Sequence, residues 1–174
     1  MEKRQNFTYQ LVVMAFLIAL EIIFTRFLSF QLPMVRVGFG FLPVAVAAIM
    51  FGPIWAGIGY TIGDLLGMVL FPTAGYFPGF TLSAFVTGLL FGLILHKKEI
   101  TIKRTFIAAF FVITIVSLGM DTLWLSIIMG KGFFALLPAR IVKAVVMVIV
   151  EPLTITLVWN KIISKVPSVR TNNA

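Results

Sequence analysis

The sequence has no cysteine, a single histidine and only six acidic residues among 174. Without cysteine there is no disulfide scaffold. One histidine with no thiol cannot build a structural zinc site either. That histidine, His96, sits beside Lys97, Lys98 and Glu99, across the membrane from the acids considered below, so a Ser/His/Asp triad has no place to form. No G-x-x-x-x-G-K-[ST] segment is present, so the chain carries no phosphate-binding loop of its own for ATP. Charge is scarce altogether. Charged residues make up 11% of the chain, where a soluble domain carries about 25%. Disorder is excluded, because it needs low hydrophobicity and dense charge.

What is present in quantity is apolar. Hydrophobic residues make up 60% of the chain, and the mean hydropathy is +1.09. Too few polar side chains remain to cover a water-soluble globule. The net charge of +8 does not signal nucleic-acid binding, because the basic residues punctuate long apolar stretches rather than forming a water-facing patch. The composition predicts an all-α integral membrane protein of one compact domain.

A spanning helix needs roughly 20 mostly apolar residues. The first such stretch is Phe7 to Phe30. No A-x-A cleavage site follows it, so it is read as an uncleaved helix rather than a signal peptide. Gln31 to Gly40, with Pro33, Gly38 and Gly40, is expected to be a loop. Phe41 to Leu70 is too long for one upright span, and Gly52-Pro53 divides it into a short second helix and a third from Ile54 to Phe71. Pro72 to Gly75 is a turn. The fourth helix runs from Pro78 to Leu95, the fifth from Thr105 to Met129, and the sixth from Phe133 to about Ile163, bent by Pro138 and Pro152. This gives six transmembrane helices in one bundle spanning residues 1–174, with residues 1–6 and 164–174 as cytoplasmic tails.

Orientation follows from the basic residues. Lys3, Arg4, Lys97, Lys98, Lys103, Arg104, Lys161, Lys165 and Arg170 share the side that carries both termini, which is nine of the fourteen Lys and Arg residues. The opposite loops hold only Arg36 and Lys131. Both termini are therefore expected in the cytoplasm, and the pI near 10.2 is a topology signal that requires no acidic partner.

Small residues recur every fourth position: Gly59, Gly63 and Gly67 on the third helix, Ala84, Gly88 and Gly92 on the fourth, Ala15 and Ala19 on the first. Such faces let helix backbones approach closely in lipid. The glycine faces read as internal packing. The alanine pair fits internal packing or contact with another subunit. Gly57-Ile58-Gly59 with Gly63 is no dinucleotide fingerprint, since it lies inside a membrane helix rather than after a strand.

An ionisable residue inside a span is costly and is a functional candidate by default. Arg26, Asp64, Asp121, Arg140 and Lys143 fall in the outer halves of their helices, with Arg36 joining from the first outer loop. Glu21 and Glu151 are also intramembrane. Helical spacing places Thr114, Ser117, Asp121 and Trp124 on one face of the fifth helix. It places Arg140, Lys143, Met147, Glu151 and Thr154 on one face of the sixth, and Tyr60, Asp64 and Phe71 together on the third. These stripes converge on one pocket open to the outside. Asp64 and Asp121 serve there either as ligand acceptors or as counter-charges to Arg140 and Lys143. Arginine forks suit carboxylates, the faces of Trp124, Phe39 and Phe71 suit a flat heterocycle, and an aspartate accepts from a ring N–H and an exocyclic amine. A planar ring with an acidic tail would use all three. With few nucleophile–base pairs in reach, the site binds rather than catalyses, and it calls for no cofactor and no metal.

Six short helices, a basic cytoplasmic side and the Ala15-x-x-x-Ala19 pair resemble the S components of energy-coupling factor transporters, small membrane proteins that capture vitamins for bacterial import. Arg36-Val37-Gly38-Phe39-Gly40-Phe41-Leu42-Pro43 is similar to the first loop and second helix of the folate-specific group. Tyr76-Phe77-Pro78-Gly79-Phe80-Thr81-Leu82-Ser83-Ala84-Phe85-Val86-Thr87-Gly88 is the more specific match. The resemblance implies folate or a related pterin as ligand, a membrane scaffold subunit and two ATP-hydrolysing subunits as partners, and Ala15 and Ala19 as the docking pair. It implies a bacterial cell membrane, and no nucleic acid. The rivals are the same machinery with another vitamin, and a stand-alone channel or proton-coupled carrier using Glu21, Asp64, Asp121 and Glu151 as a relay.

Overall fold

The computed structural model describes residues 2–31, 36–71 and 77–161. Helix α1 (Glu2–Arg26) leads into a hairpin of β1 (Ser29–Gln31) and β2 (Arg36–Gly38), followed by α2 (Phe41–Phe51), α3 (Pro53–Leu70) and α4 (Pro78–Leu95). Then come α5 (Ile102–Phe111), a π-helical segment Val112–Met120, α6 (Asp121–Met129) and α7 (Phe133–Lys161). Five helical spans are long and apolar enough to cross a membrane, with α5, the π segment and α6 counting as one. The sixth helix, α2, has 11 residues. The six pack as one bundle.

Several sequence expectations change here. Helix α1 begins at Glu2, inside the expected N-terminal tail, and ends at Arg26 rather than Phe30. The stretch expected to be a loop contains an antiparallel pair, with Phe30 opposite Val37 and Gln31 opposite Arg36. The expected turn Pro72–Gly75 and the tail Ser164–Ala174 lie outside the described residues. Inside the fifth span nine residues are π-helical, which changes the angular step between side chains. Thr114 is consequently exposed, while Ser117, Asp121 and Trp124 are only partly so.

Glycine determines how closely the helices meet. Along α3, Gly59 receives the Met14 sulfur, Gly63 the Glu21 carboxylate and Gly67 the Arg26 guanidinium, so this face packs on α1. On α4, a Cβ at Gly88 would stand 2.6 Å from the Ala56 backbone, and Gly92 lies against the Pro53 backbone. Here α3 and α4 pack main chain to main chain, the contact that small residues permit in lipid. Both glycine faces are internal packing, as the spacing predicts.

Helix α2 sits at the centre, with eight of its residues buried. Its C-terminal corner exposes a bonding problem. The Ile49 carbonyl would normally accept from the N–H four residues on, which is Pro53 and has none. His96 supplies the bond instead, its Nδ1 3.0 Å from the Ile49 oxygen. Since a carbonyl only accepts, Nδ1 carries the proton. His96 is thus a helix-end donor, and Gly52 beside it has φ +91°, which favours glycine. Helix α2 has 11 residues against 18 in α3. At about 1.5 Å per residue it is roughly 10 Å shorter than α3.

Candidate functional site

Three polar contacts cluster at the hairpin end. Asp64 on α3 accepts a 2.9 Å hydrogen bond from the Thr81 hydroxyl on α4. Trp124 on α6 donates its indole N–H to Ser83 Oγ on α4 at 3.1 Å. Asp121 at the start of α6 lies 3.7 Å from the Arg140 guanidinium of α7. Arg140 is buried and donates to the Ser117 carbonyl at 2.7 Å. That carbonyl also takes the Thr122 hydroxyl at 3.2 Å. It belongs to the π segment, in which main-chain bonds reach five residues on, as from the Asp121 N–H to the Val116 carbonyl.

Lys143 is half-buried one turn beyond Arg140, within electrostatic reach of both Asp121 and Glu151. Glu151 is buried farther along the same face of α7 with Met147, so the expected α7 stripe is present. The Asp121 Oδ1 atom is buried and has no hydrogen-bond partner among the described residues. One oxygen of this carboxylate is thus held by an arginine while the other remains available to accept.

The aromatic groups divide differently from the expectation. Trp124 lies against Gly79, where a Cβ would meet the indole at 2.5 Å, and its ring neighbour is Phe77 at 5.6 Å. Phe71 packs edge-on against Phe27 at 5.0 Å, and Phe39 lies 6.2 Å from Phe41. Arg26 is the last residue of α1, and its long side chain reaches Gly67 of α3. The Arg36 backbone is placed in β2. On α1, Met14, Leu17 and Glu21 are buried, whereas Ala15 and Ala19 are exposed beside Val12, Phe16 and Ile23. The alanine pair therefore does not pack inside the bundle.

Spacing alone did not single out Phe77, Gly79, Thr81 or Ser83 as site residues. All four lie inside the Tyr76–Gly88 stretch, where hydroxyls two residues apart in an apolar helix were the available signal.

A family profile described as "ECF transporter, substrate-specific component" matches residues 9–164. The chain belongs to the substrate-specific components of ECF transporters. As an S component it is a multi-pass membrane protein of a transport system. A folate transporter FolT from Clostridium novyi is 45% identical over 152 residues, covering 87% of this chain and 88% of that protein. Another FolT, from Leuconostoc mesenteroides, is 27% identical over 146 residues, covering 80% and 78%. Among solved structures, a crystal structure of FolT bound with folic acid superposes with a TM-score of 0.83 at 37% identity, covering 87% of this S component and 92% of that chain.

Proposed function

We propose that this S component captures folate or a related pterin from outside the cell. It would deliver the vitamin through an ATP-driven complex of one membrane scaffold subunit and two ATP-hydrolysing subunits. The observation that carries this reading is the likeness, over 87% of the chain, to a FolT structure holding folic acid. The chemistry at the hairpin end supports it. Asp64 or Asp121 accepts from the ring N–H and amino group of the pterin, and Trp124 stacks on the ring. Phe39 and Phe71 offer further aromatic faces to the ring. The bases Arg26, Arg36, Arg140 and Lys143 outnumber the two aspartates, leaving positive charge for the glutamate carboxylates of the ligand, and Arg36 is the base proposed to meet them.

Ala15 and Ala19 form the smooth exposed patch that docks on the scaffold. The chain resides in a bacterial cell membrane with both termini in the cytoplasm, so the hairpin end faces outward. It binds and does not catalyse, and it uses no cofactor. The test is uptake of labelled folate by cells that lack a folate carrier. Accumulation should require this chain together with the scaffold and both ATP-hydrolysing subunits. Uptake by the chain alone, driven by a proton gradient, would instead make it a carrier.

A further inference from the structure

Two of the groups assigned to the ligand ring, Asp64 and Trp124, share one neighbour. Thr81 donates to Asp64, Ser83 accepts from Trp124, and Gly79 receives the indole face. All three lie in the first two turns of α4, which begins at Pro78. At about 100° per residue, Gly79 and Ser83 share one side of the helix and Thr81 lies on the other. Helix α4 thus stands between α3 with its Asp64 and α6 with its Asp121 and Trp124.

Hydroxyls in apolar helices commonly bond back to their own helix, as Thr87 does to Ser83 O at 2.8 Å and Thr61 to Gly57 O at 2.9 Å. Thr81 and Ser83 instead reach across to other helices. Ser83 is 4% exposed. Its oxygen accepts the indole N–H. A carboxylate held by a hydroxyl keeps its plane, and an indole held at its N–H and seated on a bare Cα keeps its tilt. Ligand binding then orders less of the protein, which is what preorganisation contributes to affinity.

We propose that Thr81, Ser83 and Gly79 are positioning residues, which hold Asp64 and Trp124 in the orientation that receives the edge and face of a planar heterocycle. This rests on the reading of the chain as a folate-binding S component. The experiment measures folate and free-pterin affinity of the purified full chain for wild type, Thr81→Val, Thr81→Ser and Ser83→Ala. Each protein is checked by thermal unfolding. The emission of Trp124 is isolated as the difference from a Trp124→Phe spectrum.

Thr81→Val keeps the shape and removes the hydroxyl, while Thr81→Ser keeps the hydroxyl. Losing one fixing hydrogen bond should weaken both ligands about tenfold in Thr81→Val and in Ser83→Ala. Thr81→Ser should retain wild-type affinity, and Ser83→Ala should also shift the ligand-free Trp124 emission. Wild-type affinity in Thr81→Val and Ser83→Ala overturns the proposal. So does an equal loss in Thr81→Ser and Thr81→Val, which would show that packing matters rather than the hydroxyl. If Ser83→Ala does not fold, the Thr81 pair alone decides. A wild type that binds neither ligand overturns the parent reading instead, and is seen before any variant is compared.

Discussion

A carboxylate in the membrane must either face a ligand or face a base, and Asp121 does both by halves. One oxygen lies near Arg140, and the other is buried without a hydrogen-bond partner among the described residues. Replacing Asp121 or Asp64 by Ala removes a charged acceptor worth about 1.5–3 kcal/mol, so folate affinity should fall roughly tenfold to a hundredfold. Titration with free pterin separates the roles. The aspartate variants should lose pterin and folate alike, whereas Arg36→Ala should lose affinity for folate only. Normal folate binding by both folded aspartate variants would reduce these acids to counter-charges, and the remaining Arg140–Ser117 bond makes a folded Asp121 variant attainable. The intramembrane charges were legible in the sequence because each is an outlier in an apolar run. Their partners were not. That Thr81 reaches Asp64, and Ser83 reaches Trp124, depends on how α4 lies between its neighbours, and no periodicity within one helix encodes that.

Elements bounded by local chemistry were predicted well, and those bounded by tertiary contact were not. Proline at the first turn fixed the start of α4, and Gly52-Pro53 fixed the α2–α3 break. The hairpin carries no alternation long enough to read as strands, and the π segment differs from an α-helix by a bonding shift that its composition does not advertise. The glycine seams make a graded prediction. A Cβ at Gly88 meets immovable backbone at 2.6 Å, whereas Gly132 has nothing within 4 Å. Gly88→Ala should therefore lower the thermal midpoint in detergent, at an overpacking cost of about 1–3 kcal/mol, and Gly132→Ala should leave it nearly unchanged. Equal midpoints would mean that α3 and α4 are not in backbone contact. Helix α1 carries its two tasks on different faces, with Glu21 buried against Gly63 and Ala15 and Ala19 exposed. Bulky side chains at the alanines should abolish ATP-driven uptake and leave folate binding by the isolated protein intact. Loss of binding as well would place the alanines in the bundle's own packing.

At the scale of the whole molecule, hydropathy and the Gly52-Pro53 break were enough to find five long spans and one short helix, because lipid leaves the backbone few other solutions. The native chain has no cysteine, so single cysteines can report its topology. Cysteines placed beside Lys98 and beside Lys131 should react with impermeant reagent from opposite sides of the membrane, and labelling from one side would undo the shared orientation of the site helices. This chain alone should form a complete vitamin site, before any partner or ATP is present. Equilibrium binding of folate to the purified protein, without scaffold, ATP-hydrolysing subunits or nucleotide, tests it most directly. Saturable binding of one folate per chain, competed by free pterin, is the predicted result; a folded protein that binds no folate, or binds an unrelated vitamin in its place, would contradict it.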